Sequence, residues 1–254
     1  MAGPPFRARP PQPPSAGWFR LGYPSGLLPT SAQVIDLERF SWTFTPATEL
    51  REISRMPPPR TSLIVTCHPS PASRCAEITR RIAELLRSGG RTVIIDDLVA
   101  TDFDPVLSRA ELQQYYGDAV PADIAGLAAH LKEATDLYYV LPLWMFDMPA
   151  LLKGYFERVF RPHVAFRFAG NDIIPLLTHV RHLTVVVTHG RDREETERSG
   201  DGTQVFFERS LPSLLPSLER NTRFDFYDLD GSADHTHDAV RDELWRHVRA
   251  SIGS

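Results

Sequence analysis

Cysteine is scarce in this chain, long apolar runs are missing, and neither sign of charge dominates. Only two cysteines, Cys67 and Cys75, occur in 254 residues, too few for the disulfide framework of a secreted domain and in keeping with a reducing compartment. No stretch approaches the roughly 20 apolar residues that a membrane-spanning helix requires. The N-terminus places Pro4, Pro5, Arg7 and Arg9 where a secretory signal would need an apolar core, so a cytoplasmic protein without a membrane span is expected. Basic residues number 28 against 32 acidic, a net charge of −4, and the arginines are scattered. Without a basic stripe to neutralise phosphates, nucleic-acid binding is set aside. Nothing repeats at a fixed period, and no heptad pattern marks a coiled coil.

Proline is unevenly spread. More than half of the 22 prolines fall within residues 1–60, among them Pro10, Pro11, Pro13, Pro14 and the run Pro57-Pro58-Pro59. Because proline fixes φ and removes a donor, this stretch cannot build a sheet ladder or a long helix. It reads as a disordered N-terminal extension, with a short ordered piece around Val34–Phe44, or as an arm that packs Trp18 or Trp42 on a partner.

From Thr61 to the end the pattern is that of one α/β domain, and hydrophobic residues at 42% suffice for its core. Short apolar runs at 61–67, 91–96, 136–141, 183–188 and 223–229 read as buried parallel strands. Between them lie helical stripes at 73–88, 108–116, 122–133, 149–160 and 203–218, with a last helix at 238–252. Pro212 and Pro216 interrupt the fifth. Strand alternating with helix predicts a doubly wound five-stranded parallel sheet with helices on both faces.

Two loops carry candidate chemistry. The first strand leads through Cys67-His-Pro-Ser-Pro-Ala-Ser73 into a helix, whose free N–H groups and positive dipole end suit a phosphate. Ser70 and Ser73 offer hydroxyls, His68 an imidazole N–H and Arg74 a charge; equally, Ser73 is a helix cap. The third strand leads into Leu141–Phe160, LPLWMFDMPALLKGYFERVF, which sets a flat apolar wall at a strand's carboxyl end, where open α/β sheets bind ligands. A planar electron-accepting ring such as a flavin needs such a wall, together with backbone donors and little water.

His68-Pro69, Pro142-Leu143-Trp144-Met145-Phe146, Met148-Pro149-Ala150-Leu151-Leu152-Lys153-Gly154 and Glu157-Arg158-Val159-Phe160 together resemble the NAD(P)H:quinone oxidoreductase family, which includes DT-diaphorase and the modulators of drug activity. The resemblance covers Thr61–Ser254. It implies a flavodoxin-like fold with strand order 2-1-3-4-5, a bound FAD or FMN, two-electron hydride transfer from NAD(P)H to a quinone-like acceptor, and a homodimer. By the same resemblance His68, Ser73 and Cys75 belong to the flavin-phosphate loop. Pro142, Leu143, Met145 and Phe146, with Trp144 among them, form the ring platform, and Thr188, His189 and Gly190 meet the pyrimidine end. His189 is the candidate catalytic donor, stabilising charge on the reduced ring.

The chain departs from the family in three places. Cys75 stands where an Asn is usual, Gly190 is followed by Arg191 instead of a second glycine, and the Tyr and His pair linked to hydride transfer in the animal enzymes is missing from 192–202. These departures keep open a regulatory flavodoxin-like protein that acts through a partner. Asp234-His-Thr-His-Asp238 lacks a third ligand at fixed spacing, and no metal is expected there. Cys67 beside His68 reads as buried packing rather than as a nucleophile, Arg191–Arg198 as a solvated loop whose arginines could meet a dinucleotide phosphate, and Tyr115-Tyr116 as core or as a cover for the adenine side of a larger flavin.

Overall fold

The computed structural model describes residues 60–170, 172–230 and 237–252. The proline-rich extension, apart from Arg60, lies outside the described residues. Five parallel strands, β1 (Thr61–Thr66), β2 (Thr92–Asp97), β3 (Asp136–Pro142), β6 (His182–Thr188) and β7 (Arg220–Phe226), form one sheet in the order β2-β1-β3-β6-β7. Two short strands, β4 (Phe166–Ala169) and β5 (Asp172–Pro175), pair with each other in a separate antiparallel hairpin. With the hairpin set aside, the sheet has the order 2-1-3-4-5 that the family resemblance implies.

Strand alternation divides the core. Ile64, Tyr138, Val140, Val186, Phe224 and Phe226 face helices α1 (Arg74–Ser88) and α7 (Asp238–Ile252), packing on Ile78, Ile82, Leu86, Leu244 and Val248. Leu63, Val65, Leu137, Tyr139, Val185 and Val187 point the other way, onto α3 (Ala125–Glu133) and α4 (Ala150–Arg158) through Leu127, Leu131, Leu152 and Phe156. β1, β3 and β6 are buried along their whole lengths, which is why their sequences are continuous apolar runs.

Three segments depart from the sequence reading. The hairpin was not anticipated, since Phe166-Arg-Phe168 is too short and too exposed to announce a strand. Within Arg191–Arg198, Arg193–Ser199 forms a helix, α5. Asp192 caps it by accepting from the Glu195 N–H at 2.8 Å, and the Asp192–Glu195 spacing is a capping-box signature. The helix expected at 203–218 breaks into α6 (Gly202–Val205), a π turn at Phe206–Ser210 and a 3₁₀ turn at Pro212–Leu214. Proline has no N–H for an α-helical bond, and the Leu211 N–H reaches back to Phe206 O at 2.8 Å, one residue further than in an α-helix. Pro149 sits at the cap of α4 rather than inside its first turn.

A short helix, α2 (Arg109–Gln114), is pinned to the end of α4 by buried charge. Glu111 accepts from Arg158 Nε at 2.8 Å and from Arg161 at 3.3 Å, and Arg158 also reaches Asp123 at 2.6 Å. Arg161 lies over the Tyr115 ring at 5.0 Å. Tyr115 is therefore part of this packing, whereas Tyr116 is exposed against Phe168 at 5.9 Å. Removing one partner of a buried pair leaves a charge uncompensated, so Glu111→Gln is expected to lower stability by roughly 3 kcal/mol in urea unfolding.

At the amino ends of the strands Asp136 accepts from Thr135 Oγ1 and from His182 Nδ1, both at 2.6 Å, and pairs with Arg91 at 3.3 Å. Arg91 in turn donates to the Ser251 carbonyl, tying α7 to the sheet. Burial acts to raise the Asp136 pKa, but these donors outweigh it and the net shift is downward. Nearby, His247 shares a hydrogen bond with Thr184 at 2.9 Å. Burial, with the charges of Arg220 and His182, pushes its pKa down from 6.5 to about 4. Between those values the unfolded chain takes up a proton that the folded chain refuses, so stability falls as pH drops from 6.5 towards 4. His247→Gln should flatten that part of a stability–pH curve measured by thermal unfolding.

Candidate functional site: a cleft between three strand-end loops

Three loops at the carboxyl ends of β1, β3 and β6 converge on one cleft of about 510 Å³. From the first loop come His68, Ser70, Ser73, Arg74 and Cys75, from the second Pro142, Leu143 and Trp144, and from the third Thr188, His189 and Gly190. Residues predicted from sequences far apart are thus brought together. Met145 and Phe146 are not among those lining the cleft. They stand beside it and are exposed, Met145 by 89%.

The first loop is held by its own polar groups. The Ser70 N–H donates to His68 Nδ1 at 3.0 Å, the Ser73 N–H donates to Ser70 O at 3.1 Å, and the Ser73 hydroxyl accepts from the Ala76 N–H at 3.1 Å. Ser73 is therefore the cap of α1, and the first turn of that 15-residue helix opens on the cleft. Arg74 pairs with Glu77 at 2.6 Å. Cys75 lies 3.2 Å from the Thr188 hydroxyl; burial, only partly offset by that contact, pushes its thiol up to about 11. It is a neutral, weakly donating group. Cys67 is fully buried in the core and its thiol is pushed far up by burial, which removes it as a nucleophile.

The second loop begins with the Leu143 N–H donating to Thr188 O at 2.8 Å, which carries the β3–β6 pairing one step further. Trp144 and Asp147 then exchange backbone bonds of 2.9 and 3.1 Å around Met145 and Phe146. Both central residues have positive φ, 49° and 64°, as in the I′ turns of hairpins. For residues with a Cβ this conformation costs roughly 1–2 kcal/mol each, and backbone strain of this kind gathers at functional sites. The N–H groups of Met145 and Phe146 have no hydrogen-bond partner among the described residues. Trp144 meets the His68 ring edge-on at 5.5 Å, closing the wall between the first two loops.

The third loop is the most constrained. The His189 N–H donates to Phe226 O at 2.8 Å, its Nε2 donates to Asp225 at 2.8 Å, and its ring stacks on Tyr227 at 4.3 Å. The ring is 1% exposed and Nδ1 is buried with no hydrogen-bond partner among the described residues. The donor that the sequence reading assigns to His189 is thus already engaged within the wall. Gly190 comes so close to Asp230 that a Cβ would lie 2.3 Å from its carboxylate, so a larger residue would have to displace that side chain. Arg191 points outward and pairs with Glu195 at 3.6 Å, so it does not crowd the cleft.

Sequence reasoning missed Asp225, Arg223, Asp201 and Tyr227. Asp225 accepts from Arg223 Nε at 3.0 Å, and Arg223 also binds Asp201 and the Thr203 hydroxyl. Burial acts to raise the Asp225 pKa, but His189 and Arg223 prevail and hold it down. His189, Asp201 and Asp225 are close enough to hold a metal ion, but the Arg223 guanidinium already occupies both carboxylates. The alternation of β7 was the available signal, since Arg223 and Asp225 share the face opposite Phe224 and Phe226. Of the histidines in the Asp234–Asp238 segment, His235 lies outside the described residues, and His237 donates to Tyr227 O at 2.5 Å.

Residues 60–224 match the model of a family described as having a flavodoxin-like fold. The chain belongs to that family. It is 30% identical over 139 residues to an uncharacterised NAD(P)H oxidoreductase of Haemophilus influenzae, covering 54% of this chain and 68% of that protein. Against NAD(P)H dehydrogenase [quinone] 1 of Cavia porcellus identity is 32% over 127 residues, which cover 43% of this chain and 46% of that enzyme. The fold superposes on the NAD(P)H:quinone oxidoreductase of Methanothermobacter marburgensis with a TM-score of 0.62 at 24% identity, covering 75% of this chain and 96% of that one. Within the flavodoxin-like family these relatives place the chain among the NAD(P)H oxidoreductases.

The strained turn yields a direct check. Asn tolerates positive φ better than Met, and the Met145 side chain has almost no packing to lose. Met145→Asn is therefore expected to raise stability by about 0.5–1 kcal/mol in urea unfolding.

Proposed function

We propose that this flavodoxin-like oxidoreductase binds FAD or FMN in the three-loop cleft and reduces quinone-like acceptors with NAD(P)H. The observation that carries this reading is the meeting, in one cleft, of a helix N-terminus edged by His68, Ser70 and Arg74, an apolar wall from Pro142 to Trp144, and the Thr188–Gly190 loop. A bound flavin would supply the two-electron carrier that takes a hydride from the nicotinamide and passes it to the acceptor.

The residues suit those tasks. The first turn of α1, with Ser70 and Arg74, would hold a phosphate through N–H groups, a hydroxyl and a positive charge. Cys75 replaces an amide with a neutral thiol and weakens one such contact. Pro142, Leu143, Trp144, Met145 and Phe146 would lie along the ring and keep water from it, and the unpartnered N–H groups of Met145 and Phe146 are donors for its polar edge. Thr188 and Gly190 would flank the pyrimidine end. There the Gly190 N–H, which has no partner among the described residues, rather than the buried His189 ring, is placed to answer negative charge on reduction. His189 then acts by holding its loop. Nicotinamide and quinone would occupy the same exposed face in turn, positioned by stacking rather than by a free acid.

Trp144, Met145, Phe146, Val205, Phe168 and Ile173 are all exposed apolar side chains. A second copy of the chain covering them would complete the site as a homodimer, measurable by light scattering. No helix among the described residues is long and apolar enough to cross a membrane.

The engaged His189 ring also favours a second reading, in which flavin is bound but redox turnover is not the purpose. Purified protein should be yellow, release FAD or FMN on denaturation as read by mass spectrometry, and bleach anaerobically with NADPH or NADH. Flavin that stays oxidised with both nucleotides supports the second reading, and a colourless protein that neither FMN nor FAD reconstitutes ends both. Phe146→Asp sets a charge beside an apolar ring and should lower flavin affinity at least tenfold; unchanged occupancy would remove the platform assignment.

A further inference from the structure

A continuous chain of contacts behind the cleft joins the third loop to the strained turn. His189 is bound by Asp225, and Asp225 accepts from Arg223 through both carboxylate oxygens. The Arg223 guanidinium continues to Asp201 and, at 2.9 Å, to the Thr203 hydroxyl. Asp201 caps α6, accepting from the Thr203 N–H at 2.9 Å and from its hydroxyl at 2.6 Å. The next residue, Gly202, donates its N–H to Phe146 O at 2.8 Å, and a Cβ there would strike the Asp147 carboxyl group at 2.8 Å. Phe146 is one of the two residues of the turn held at positive φ. That conformation is unfavourable on its own and persists only where its surroundings enforce it.

Both carboxylates and the guanidinium are largely buried, with side-chain exposures of 6%, 19% and 13% for Asp201, Asp225 and Arg223. None of these three residues lines the cleft itself, and Asp225 meets its wall only through His189. Their arrangement gives no obvious gain to the sheet, since β7 is already paired along its length with β6. What it fixes is the position of Gly202, and through that one N–H the turn.

We infer that Asp201 and Arg223 are positioning residues for the flavin platform. They hold α6 so that Gly202 locks the Met145–Phe146 turn in its left-handed form, and they couple that turn to the His189 loop. This rests on the flavin reading above, and a protein that binds no flavin fails that reading rather than this one.

The test uses the full chain stripped of flavin and titrated with FMN and with FAD. Asp201→Asn keeps a capping oxygen, because Asn caps as well as Asp, but removes the charge that Arg223 binds. Thr203→Ala removes the hydroxyl that Arg223 and Asp201 share and adds no buried charge. Thr203→Ala should keep the parent's melting temperature within a few degrees, whereas Asp201→Asn, which takes one carboxylate from the buried Arg223, should lower it by several; both should bind flavin about tenfold more weakly and change the visible circular dichroism of the bound flavin. A purely structural role would lower the melting temperature and leave the affinity and spectrum of the folded fraction unchanged. If Asp201→Asn does not fold, Thr203→Ala decides alone. Flavin affinity within twofold of the parent with an identical dichroism spectrum, in either folded variant, would overturn the inference.

Discussion

The complete burial of β3 governs the rest of the structure. It pairs with β1 on one side and β6 on the other, and both its faces are covered by helices. A strand so enclosed has backbone groups with nowhere to turn but its neighbours, and the chain can reach solvent only at its two ends. The amino end is closed by the Asp136 cluster. At the carboxyl end Leu143 continues the pairing for one residue, and the chain must then reverse sharply before α4. The tight Trp144–Asp147 turn, its positive φ angles and its open N–H groups all follow from that reversal.

The two neighbouring strand ends are subject to the same geometry. β1 delivers its chain into the N-terminus of α1 and β6 into the His189 loop, because parallel strands emit all their connections at one edge. The cleft is a consequence of topology before any particular side chain is considered. The side chains then decide what it can hold: hydroxyls and charge at the α1 end, an apolar wall in the middle, close-packed backbone at Gly190.

Much of this was legible in the sequence because the signals were local. Continuous apolar runs marked the five strands of the sheet, and the Pro142–Gly154 motif pointed to the middle of the cleft. Ser73 could be read as a cap from its place before an amphipathic stripe. The failures have physical causes too. The β4–β5 hairpin has Phe168, packed on Phe166, meeting Tyr116, a contact between residues distant in sequence. α5 was announced by Asp192 and Glu195, but its charged surface concealed the helix. The π turn reflects Pro212 acting within a stretch whose helical period was otherwise sound. Arg223 and Asp225 were visible as a pair on one strand face, whereas Asp201 becomes their neighbour only once α6 has folded against β7. The orientation of His189 could not be read from its place in a motif, because it depends on which groups of β7 reach it first.

The buried cluster of Asp136, Arg91 and His182 occupies the rim of the sheet remote from the cleft, and it binds α7 as well as two strands. Cohesion and ligand handling are therefore assigned to opposite edges of the same scaffold. Such a division lets the exposed positions of the first two upper loops, Ser70, Met145 and Phe146 among them, diversify with little penalty to the foundation, whereas the same diversity spent at the lower rim would be lost to misfolding.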